Sequence, residues 1–160
     1  MKELILIRHG KAEKRGSVFP DRNRKLVIKG INQLNKDIPF LGHYLKNKQV
    51  VYLWSSGMIR TMETAGIIKK ICKIDEIETC GFIETGDFDA FKQKADQIED
   101  ECTIIIVGHE PDISEWTYRL CKKNVRIKKG CALLIEISSD QRSGTMRWIA
   151  EPGEYQDIIV

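Results

Sequence analysis

The strongest constraint on the fold is an unbroken apolar run near the N-terminus, Leu4 to Ile7, which ends at Arg8-His9-Gly10. A short run of consecutive apolar residues is typical of a strand buried on both faces, as in a parallel sheet. Gly10 permits a sharp turn directly after this strand. Ligands bind at the carboxyl ends of strands in open α/β sheets, so Arg8 and His9 are predicted at a ligand site. The alternative is a strand that simply ends at a polar surface.

Strand and helix patterns alternate along most of the chain. Further runs of strand length occur at residues 50–54, 74–80, 103–107 and 131–137. Apolar residues at helical spacing occur between them, at residues 30–45, 59–72, 88–98 and 113–121. This alternation predicts an α/β fold, a three-layer α/β/α sandwich with a mostly parallel central sheet. The run at 131–137 and the alternating segment 145–150 are predicted to form an antiparallel hairpin at one sheet edge.

Local residue choices add finer expectations. Pro39 lies inside the first helical pattern and predicts a kink or a break there. Ser55 and Ser56 follow the second strand and are good candidates for helix N-caps. In the last strand, Met146 and Trp148 are predicted on one face, because side chains two residues apart in a strand share a face.

Length and composition place the chain among ordinary globular proteins. Its 160 residues fit one domain, residues 1–160, and the net charge of +3 is too small to indicate nucleic-acid binding. Its five cysteines are odd in number and scattered, which favours reduced thiols over disulfides or a zinc site. No run approaches the ~20 apolar residues that span a bilayer. We therefore expect a cytoplasmic protein without membrane or nucleic-acid contacts, most simply a monomer.

Polar side chains suited to phosphate chemistry follow these strands. Arg8 and His9 end the first strand, Arg60 lies in the helix after the second, and His109 ends the strand at 103–107. Guanidinium groups hold phosphate oxygens bidentately. One neutral imidazole can attack phosphorus, and a second, if protonated, can stabilise charge on its oxygens. Glu84 follows the weaker strand pattern at residues 74–80. The alternative is that these histidines have a structural role, which is the more common role of a lone histidine.

Three motifs together resemble the histidine phosphatase superfamily, which has the phosphoglycerate-mutase-like fold. Its Arg-His-Gly hallmark is similar to Arg8-His9-Gly10, and its serine-led helix with arginine and Thr-Ala is similar to residues 55–65. Its Gly-His at a strand end is similar to Gly108-His109. The motifs occur in the family's order and at the expected strand ends, which makes their joint occurrence specific.

Within the superfamily the chain is most similar to the short SixA-type phosphohistidine phosphatases. Arg24 to Gly30 resembles their Arg-Pro-Leu-Thr-x-x-Gly segment, with Lys25 and Val27 in place of the proline and threonine. The resemblance covers nearly the whole chain.

The resemblance implies a role for each candidate site residue. His9 would be the phosphorylated nucleophile, and Arg8, Arg60 and His109 would form the phosphate pocket, with Arg24 a further phosphate-binding candidate. Glu84 lies where larger relatives have a glutamate that donates a proton to the leaving group. Neither a metal nor another cofactor is implied.

Leaving-group chemistry favours a phosphohistidine-bearing protein as the substrate. An alkoxide leaving group requires a well-placed general acid, whereas imidazole is far less basic. The short chain also leaves little length for a lid over a small molecule. We therefore predict metal-independent hydrolysis of protein phosphohistidine through phosphorylated His9. The alternatives are a small-molecule phosphomonoesterase of the same fold, acting on a sugar phosphate or nucleotide, and a non-catalytic phosphoprotein-binding module.

Two cationic stretches stand outside these motifs. The segment Lys11 to Lys29 leaves the first strand and could steer anions toward the pocket. The second cluster, residues 122–129, is more simply interpreted as a solvated surface.

Overall fold

The structure is a computed structural model that describes residues 1–140 and 143–159. The strands are β1 (Lys2–Arg8), β2 (Val51–Ser55), β3 (Glu78–Thr79), β4 (Cys102–Gly108), β5 (Ala132–Ile137) and β6 (Gly144–Ala150). The helices are α1 (Ile28–Leu45), α2 (Ile59–Cys72), α3 (Gly81–Thr85), α4 (Phe88–Asp96) and α5 (Asp112–Cys121), with 3₁₀ turns at Asp21–Asn23 and Tyr155–Ile159. The strands form one sheet in the order β3-β2-β4-β1-β5-β6.

The sheet is parallel except at one edge. β1 pairs in parallel with β4, β4 with β2, and β2 with β3. β5 runs antiparallel to β1, and β6 antiparallel to β5, so the predicted edge hairpin is confirmed. Residues 141–142 of its connection lie outside the described residues. Leu4 to Ile7 are fully buried, as predicted for a central strand.

Each face of the sheet carries its own core. Leu4 and Leu6 pack on the side covered by α4 and α5, while Ile5 and Ile7 pack on the side covered by α1 and α2. This division follows from the alternation of side chains along a strand. The predicted three-layer α/β/α sandwich is therefore confirmed.

Of the two outcomes predicted at Pro39, a break does not occur, because helix α1 continues through this residue. The N-cap prediction for Ser55 and Ser56 is wrong. Ser55 ends β2, and neither Ser55 nor Ser56 is the N-cap of α2, because that position is occupied by Met58. The Ser56 hydroxyl instead accepts a hydrogen bond from the Met58 backbone N–H and contacts His109. Ser56 therefore uses its hydroxyl in a buried contact with His109 and not as the N-cap of α2.

The face prediction for β6 is also wrong. A register shift in the β5–β6 ladder makes Trp148 the partner of Leu134 and Met146 the partner of the next residue, Ile135. The extra residue, Arg147, forms a bulge. As a result Met146 packs against the core beneath α4 and α5, and Trp148 against the opposite core.

The predicted strand at 74–80 contracts to the two residues of β3, and a short helix, α3, follows it. Glu84 therefore lies on helix α3. All five cysteines are free, as expected. None of the helices in the described part of the chain has the length and apolar character needed to span a membrane.

Candidate active site

The carboxyl ends of β1, β4 and β2 meet at one edge of the sheet. Arg8 is in register with Gly108, and Ser55 with Val107, so the residues that follow these strands are neighbours. The rings of His9 and His109 lie with their centroids 5.6 Å apart and tilted by 57°. The parallel register thus brings together two histidines that are distant in sequence.

The His9 ring is oriented by its own turn. Its Nδ1 atom lies 2.7 Å from the carbonyl oxygen of Gly10. A carbonyl oxygen only accepts, so Nδ1 carries the proton and Nε2 of the neutral ring keeps its lone pair. Burial is the main cause that lowers the pKa of His9 to about 3, and the nearby charges of His109, Arg60 and Arg8 lower it further. The ring is therefore neutral near pH 7, with Nε2 available as a nucleophile.

His109 is held by Ser56. Its Nε2 atom lies 2.8 Å from the Ser56 hydroxyl oxygen. That oxygen also accepts from the Met58 N–H. When the hydroxyl hydrogen is donated to Nε2, the neutral His109 ring carries its proton on Nδ1. Burial, followed by the charge of Arg60, lowers the pKa of His109 to about 4. A bound anion would oppose this shift, because an opposite charge favours the protonated ring.

Residues from the C-terminal part of the sequence hold Arg8 and the backbone of His9 in place. Nη1 of Arg8 donates to the Ile127 carbonyl oxygen at 2.9 Å. The Gly130 N–H donates to the carbonyl oxygens of both Arg8 and His9. The Gly130 carbonyl in turn accepts from the buried hydroxyl of Tyr155 at 2.7 Å. The segment before β5 and the C-terminal 3₁₀ turn therefore brace the end of β1.

A carboxylate joins two of the predicted arginines. Asp21 accepts from Arg24 Nε at 2.7 Å through one oxygen, and its other oxygen lies 3.2 Å from Arg60 Nη2. Both arginine side chains are buried, while that of Asp21 is 48% exposed. The Arg24 hydrogen bond and the charge of Arg60 hold the pKa of Asp21 below its usual range. Arg24 thus lies beside Arg60 and is linked to it through Asp21.

Three nitrogen atoms of this group have no hydrogen-bond partner within the described residues. They are buried atoms on three separate elements: Arg8 Nε, Arg60 Nε and His109 Nδ1. Buried N–H groups are nearly always paired in folded proteins. An anion with several acceptor oxygens could complete the hydrogen bonds of the two guanidinium N–H groups, and that of the ring nitrogen when it carries the proton.

Glu84 lies at the margin of this group. One of its carboxylate oxygens is 3.2 Å from Arg22 Nη1, and Arg22 Nη2 donates to the Gly57 carbonyl oxygen at 3.4 Å. No hydrogen bond or ion pair within the described residues joins Glu84 to His9 or His109. The other five predicted residues form one connected cluster, and Glu84 adjoins it through Arg22 and Gly57.

Sequence reasoning missed Asp21 and Thr64. The spacing of three between Asp21 and Arg24 was a usable signal for an ion pair. Thr64 accepts the Gly10 N–H at 3.1 Å and donates to the Arg60 carbonyl, which ties the turn after β1 to helix α2. No pattern in the sequence indicated that contact.

Across residues 1–140 and 143–159, no group of three or more histidine, cysteine, aspartate or glutamate side chains is arranged to hold a metal ion. Glu110 accepts hydrogen bonds from the N–H and hydroxyl of Ser114. Glu110 therefore pairs with the N-terminal turn of α5, which begins two residues after it.

The sequence pattern of the histidine phosphatase superfamily (branch 1) matches residues 4–117. The chain belongs to this superfamily. The match includes all of the predicted site residues, from Arg8 to His109, and it supports a phosphatase enzyme. No curated protein has a sequence that matches this chain.

Solved structures of this histidine phosphatase fold resemble the chain closely in shape and distantly in sequence. The protein histidine phosphatase SixA complexed with tungstate is 16% identical with a TM-score of 0.78, and the match covers 94% of this chain and 97% of SixA. Phosphoserine phosphatase from Entamoeba histolytica, in complex with 3-phosphoglyceric acid, is 16% identical with a TM-score of 0.67, covering 97% and 100%. Phosphoglycerate mutase from Plasmodium falciparum is 21% identical with a TM-score of 0.64, covering 92% and 89%. These likenesses show the fold.

Proposed function

We propose that this histidine phosphatase hydrolyses phosphohistidine on a protein, with His9 as the nucleophile. The observation that carries the proposal is the hydrogen bond from His9 Nδ1 to the Gly10 carbonyl. It directs the lone pair of the neutral ring to Nε2, and burial keeps the ring neutral. A protonated imidazole could not attack phosphorus, so both features serve nucleophilic catalysis.

The phosphoryl group would be held by the three unpaired donors. Within the described residues no hydrogen-bond partner exists for these three buried atoms, Arg8 Nε, Arg60 Nε and His109 Nδ1. Phosphoryl oxygens would accept the missing hydrogen bonds. These donors would also stabilise the charge that spreads over the equatorial oxygens in the transition state. Asp21 would position Arg60 by accepting a hydrogen bond from its Nη2 atom. Arg24, which donates to the same carboxylate, would act on the site through Asp21.

The reaction proceeds in two displacements. Solvent first protonates the substrate imidazole on the ring nitrogen that carries no phosphorus. His9 Nε2 then forms a bond to phosphorus as the P–N bond of the substrate breaks, and the imidazole departs neutral with that electron pair. Phosphorylated His9 then keeps its Nδ1 proton and a positive charge, which the Gly10 carbonyl stabilises. Water attacks phosphorus, the P–Nε2 bond breaks, and neutral His9 departs with its electron pair. The water proton leaves with the solvent or the product phosphate.

The departing group explains the choice of substrate. Imidazole has an ordinary pKa of ~6.5 and leaves without strong acid assistance, whereas an alkoxide requires a general acid. Glu84, the candidate acid, is paired with Arg22 at the margin of the site. This arrangement favours P–N over P–O cleavage. The likeness to the phosphoserine phosphatase keeps a small-molecule phosphomonoesterase as the second candidate.

The test measures phosphate release from a phosphohistidine-bearing carrier protein by the wild type and by His9→Ala, beside release from a sugar phosphate. Fast release from the protein, lost in His9→Ala, is the expected result. Acid-labile phosphate trapped on wild-type His9 would identify the intermediate. Faster release from the sugar phosphate would favour the second candidate, and full activity of His9→Ala would overturn the mechanism. Tight phosphate binding without turnover would instead indicate a binding module.

A further inference from the structure

A cleft of about 460 Å³ lies beside Arg8 and Gly10, the residues on either side of His9 in the chain. We call it the basic cleft. Its walls come from the end of β1 with the residues just after it, the N-terminal half of α1, the segment between α5 and β5, and Pro152. Its cationic side chains are Arg8, Lys11, Lys29, Arg126, Lys128 and Lys129. The tertiary structure has therefore joined the two cationic stretches of the sequence at one place.

The positive charge of the basic cleft is poorly neutralised. Within the described residues, Lys11, Lys29, Arg126 and Lys129 form no ion pair, and Lys128 pairs only with the exposed Glu151 at 3.5 Å. Burial, followed by the charges of Arg8 and other cations, lowers the pKa of Lys129. Concentrating like charges in this way is unfavourable unless an anionic partner binds.

The lining carries one carboxylate, and it is already engaged. Asp37 is 3% exposed and accepts from the Gly153 N–H at 3.2 Å and from Gln33 Nε2 at 3.1 Å. The Asp37 carboxylate therefore serves to anchor the C-terminal segment against α1. It forms no ion pair with the lysines, and the six cations outnumber its single charge, so the cleft keeps its positive potential.

The chemistry of the walls favours a polypeptide over a nucleic acid. The described residues that line the cleft include no aromatic side chain on which a base could stack. Its apolar wall consists of Leu34, Ile127 and Pro152. Aliphatic walls with spaced cations suit a chain whose carboxylates alternate with apolar side chains.

We propose that the basic cleft binds an acidic segment of the substrate protein, next to the phosphohistidine that enters the pocket. The inference rests on the proposed action on protein phosphohistidine. Arg8 belongs to both the cleft and the pocket, so a segment seated in the cleft would lie beside His9. The proposed partner is thus a phosphoprotein with glutamates or aspartates near its modified histidine.

The test compares two double variants of equal charge. Lys29→Gln with Arg126→Gln removes two exposed cations from the cleft, and Lys70→Gln with Lys123→Gln removes two exposed lysines elsewhere. Lys29 lies in the first turn of α1, where a positive charge opposes the helix dipole, so its loss does not threaten the helix. Thermal unfolding of both variants checks the fold.

The probe is a short fluorescein-labelled peptide with glutamates around one histidine, measured by anisotropy beside the same peptide with glutamines. We expect the wild type to bind the acidic peptide more tightly and the cleft variant to weaken that binding roughly fivefold. The control variant should change it less than about twofold, and added salt should weaken it in all three proteins. Equal losses in both variants, or no preference for glutamate, would overturn the inference.

Two further arms separate the alternatives. Tighter binding of a single-stranded oligouridylate, lost in the cleft variant, would assign the cleft to nucleic acid and overturn the inference. Phosphate release from the phosphorylated forms of both peptides tests the proposed function separately. Release without acidic-peptide binding would refute the docking site alone, and binding without release would refute the proposed function while the docking site stands.

Discussion

The Nδ1 atom of His9 lies 2.7 Å from the carbonyl oxygen of Gly10, the next residue in the chain. This hydrogen bond joins neighbouring residues, but the position of Gly10 depends on a distant one, because its N–H donates to Thr64 on helix α2. The orientation of the nucleophile therefore depends on a contact between the turn after β1 and the helix after β2. The predictions below test this arrangement and the charges around it.

Thr64→Val is expected to destabilise the protein by about 1–3 kcal/mol, because it leaves the buried Gly10 N–H without a partner. The matched control is Thr117→Val. Thr117 is also fully buried, and its hydroxyl donates to the carbonyl of Ile113 within α5, as that of Thr64 donates to Arg60. Urea unfolding of both variants isolates the bond to Gly10. Equal losses of stability would contradict its importance.

Arg60→Lys is expected to lower kcat/KM by about 10²-fold, because an ammonium group cannot both pair with Asp21 and supply a second donor to the phosphoryl group. Arg119→Lys serves as the control, since Arg119 pairs with Asp89 on the surface. Steady-state kinetics on the phosphohistidine carrier protein measures both. Unchanged kcat/KM in Arg60→Lys would remove Arg60 from the pocket.

Asp21→Asn is expected to separate binding from turnover. Loss of one negative charge beside Arg24 and Arg60 should tighten inhibition by inorganic phosphate roughly threefold. Loss of the ion pairs should lower kcat, because both guanidinium groups lose a fixed orientation. The inhibition constant for inorganic phosphate and kcat are both measured on the same variant and compared with the wild type. Weaker phosphate inhibition would show that the orientation Asp21 gives to the two guanidinium groups matters more for phosphate binding than its negative charge.

The free energy of unfolding is expected to decrease as the pH is lowered, because His9 and His109 are more easily protonated in the unfolded chain. Burial lowers their pKa values to about 3 and about 4 in the folded chain, so the unfolded chain takes up protons first. Their contribution is complete above about pH 6.5 and is lost as the pH falls toward the folded values.

The double variant His9→Gln with His109→Gln removes this dependence. The loss of unfolding free energy between pH 7 and pH 5 should shrink by about 3 kcal/mol relative to the wild type. Urea unfolding at the two pH values provides the comparison. An identical loss in both proteins would mean that folding does not lower the pKa values of the two histidines.

Much of the site could be predicted because its signals are local. The run that forms β1, the β-branched run of β4 and the residues directly after each strand are contiguous in sequence. Once the strands are parallel, their carboxyl ends share one sheet edge, and His9, Arg60 and His109 must meet there. Glu84 was harder to place, because the weak strand before it has only two residues and is followed by helix α3, which no sequence pattern predicted.

The sequence by itself determined the α/β class, the central strands and the residues at their ends, since burial patterns and turn residues act over a few positions. The tertiary structure decided the contacts that depend on register and on long loops. Asp21 joins Arg24 to Arg60, a bulge sends Met146 and Trp148 to opposite cores, and two distant basic segments form one cleft. Such contacts arise from packing between elements, so no short stretch of sequence specifies them.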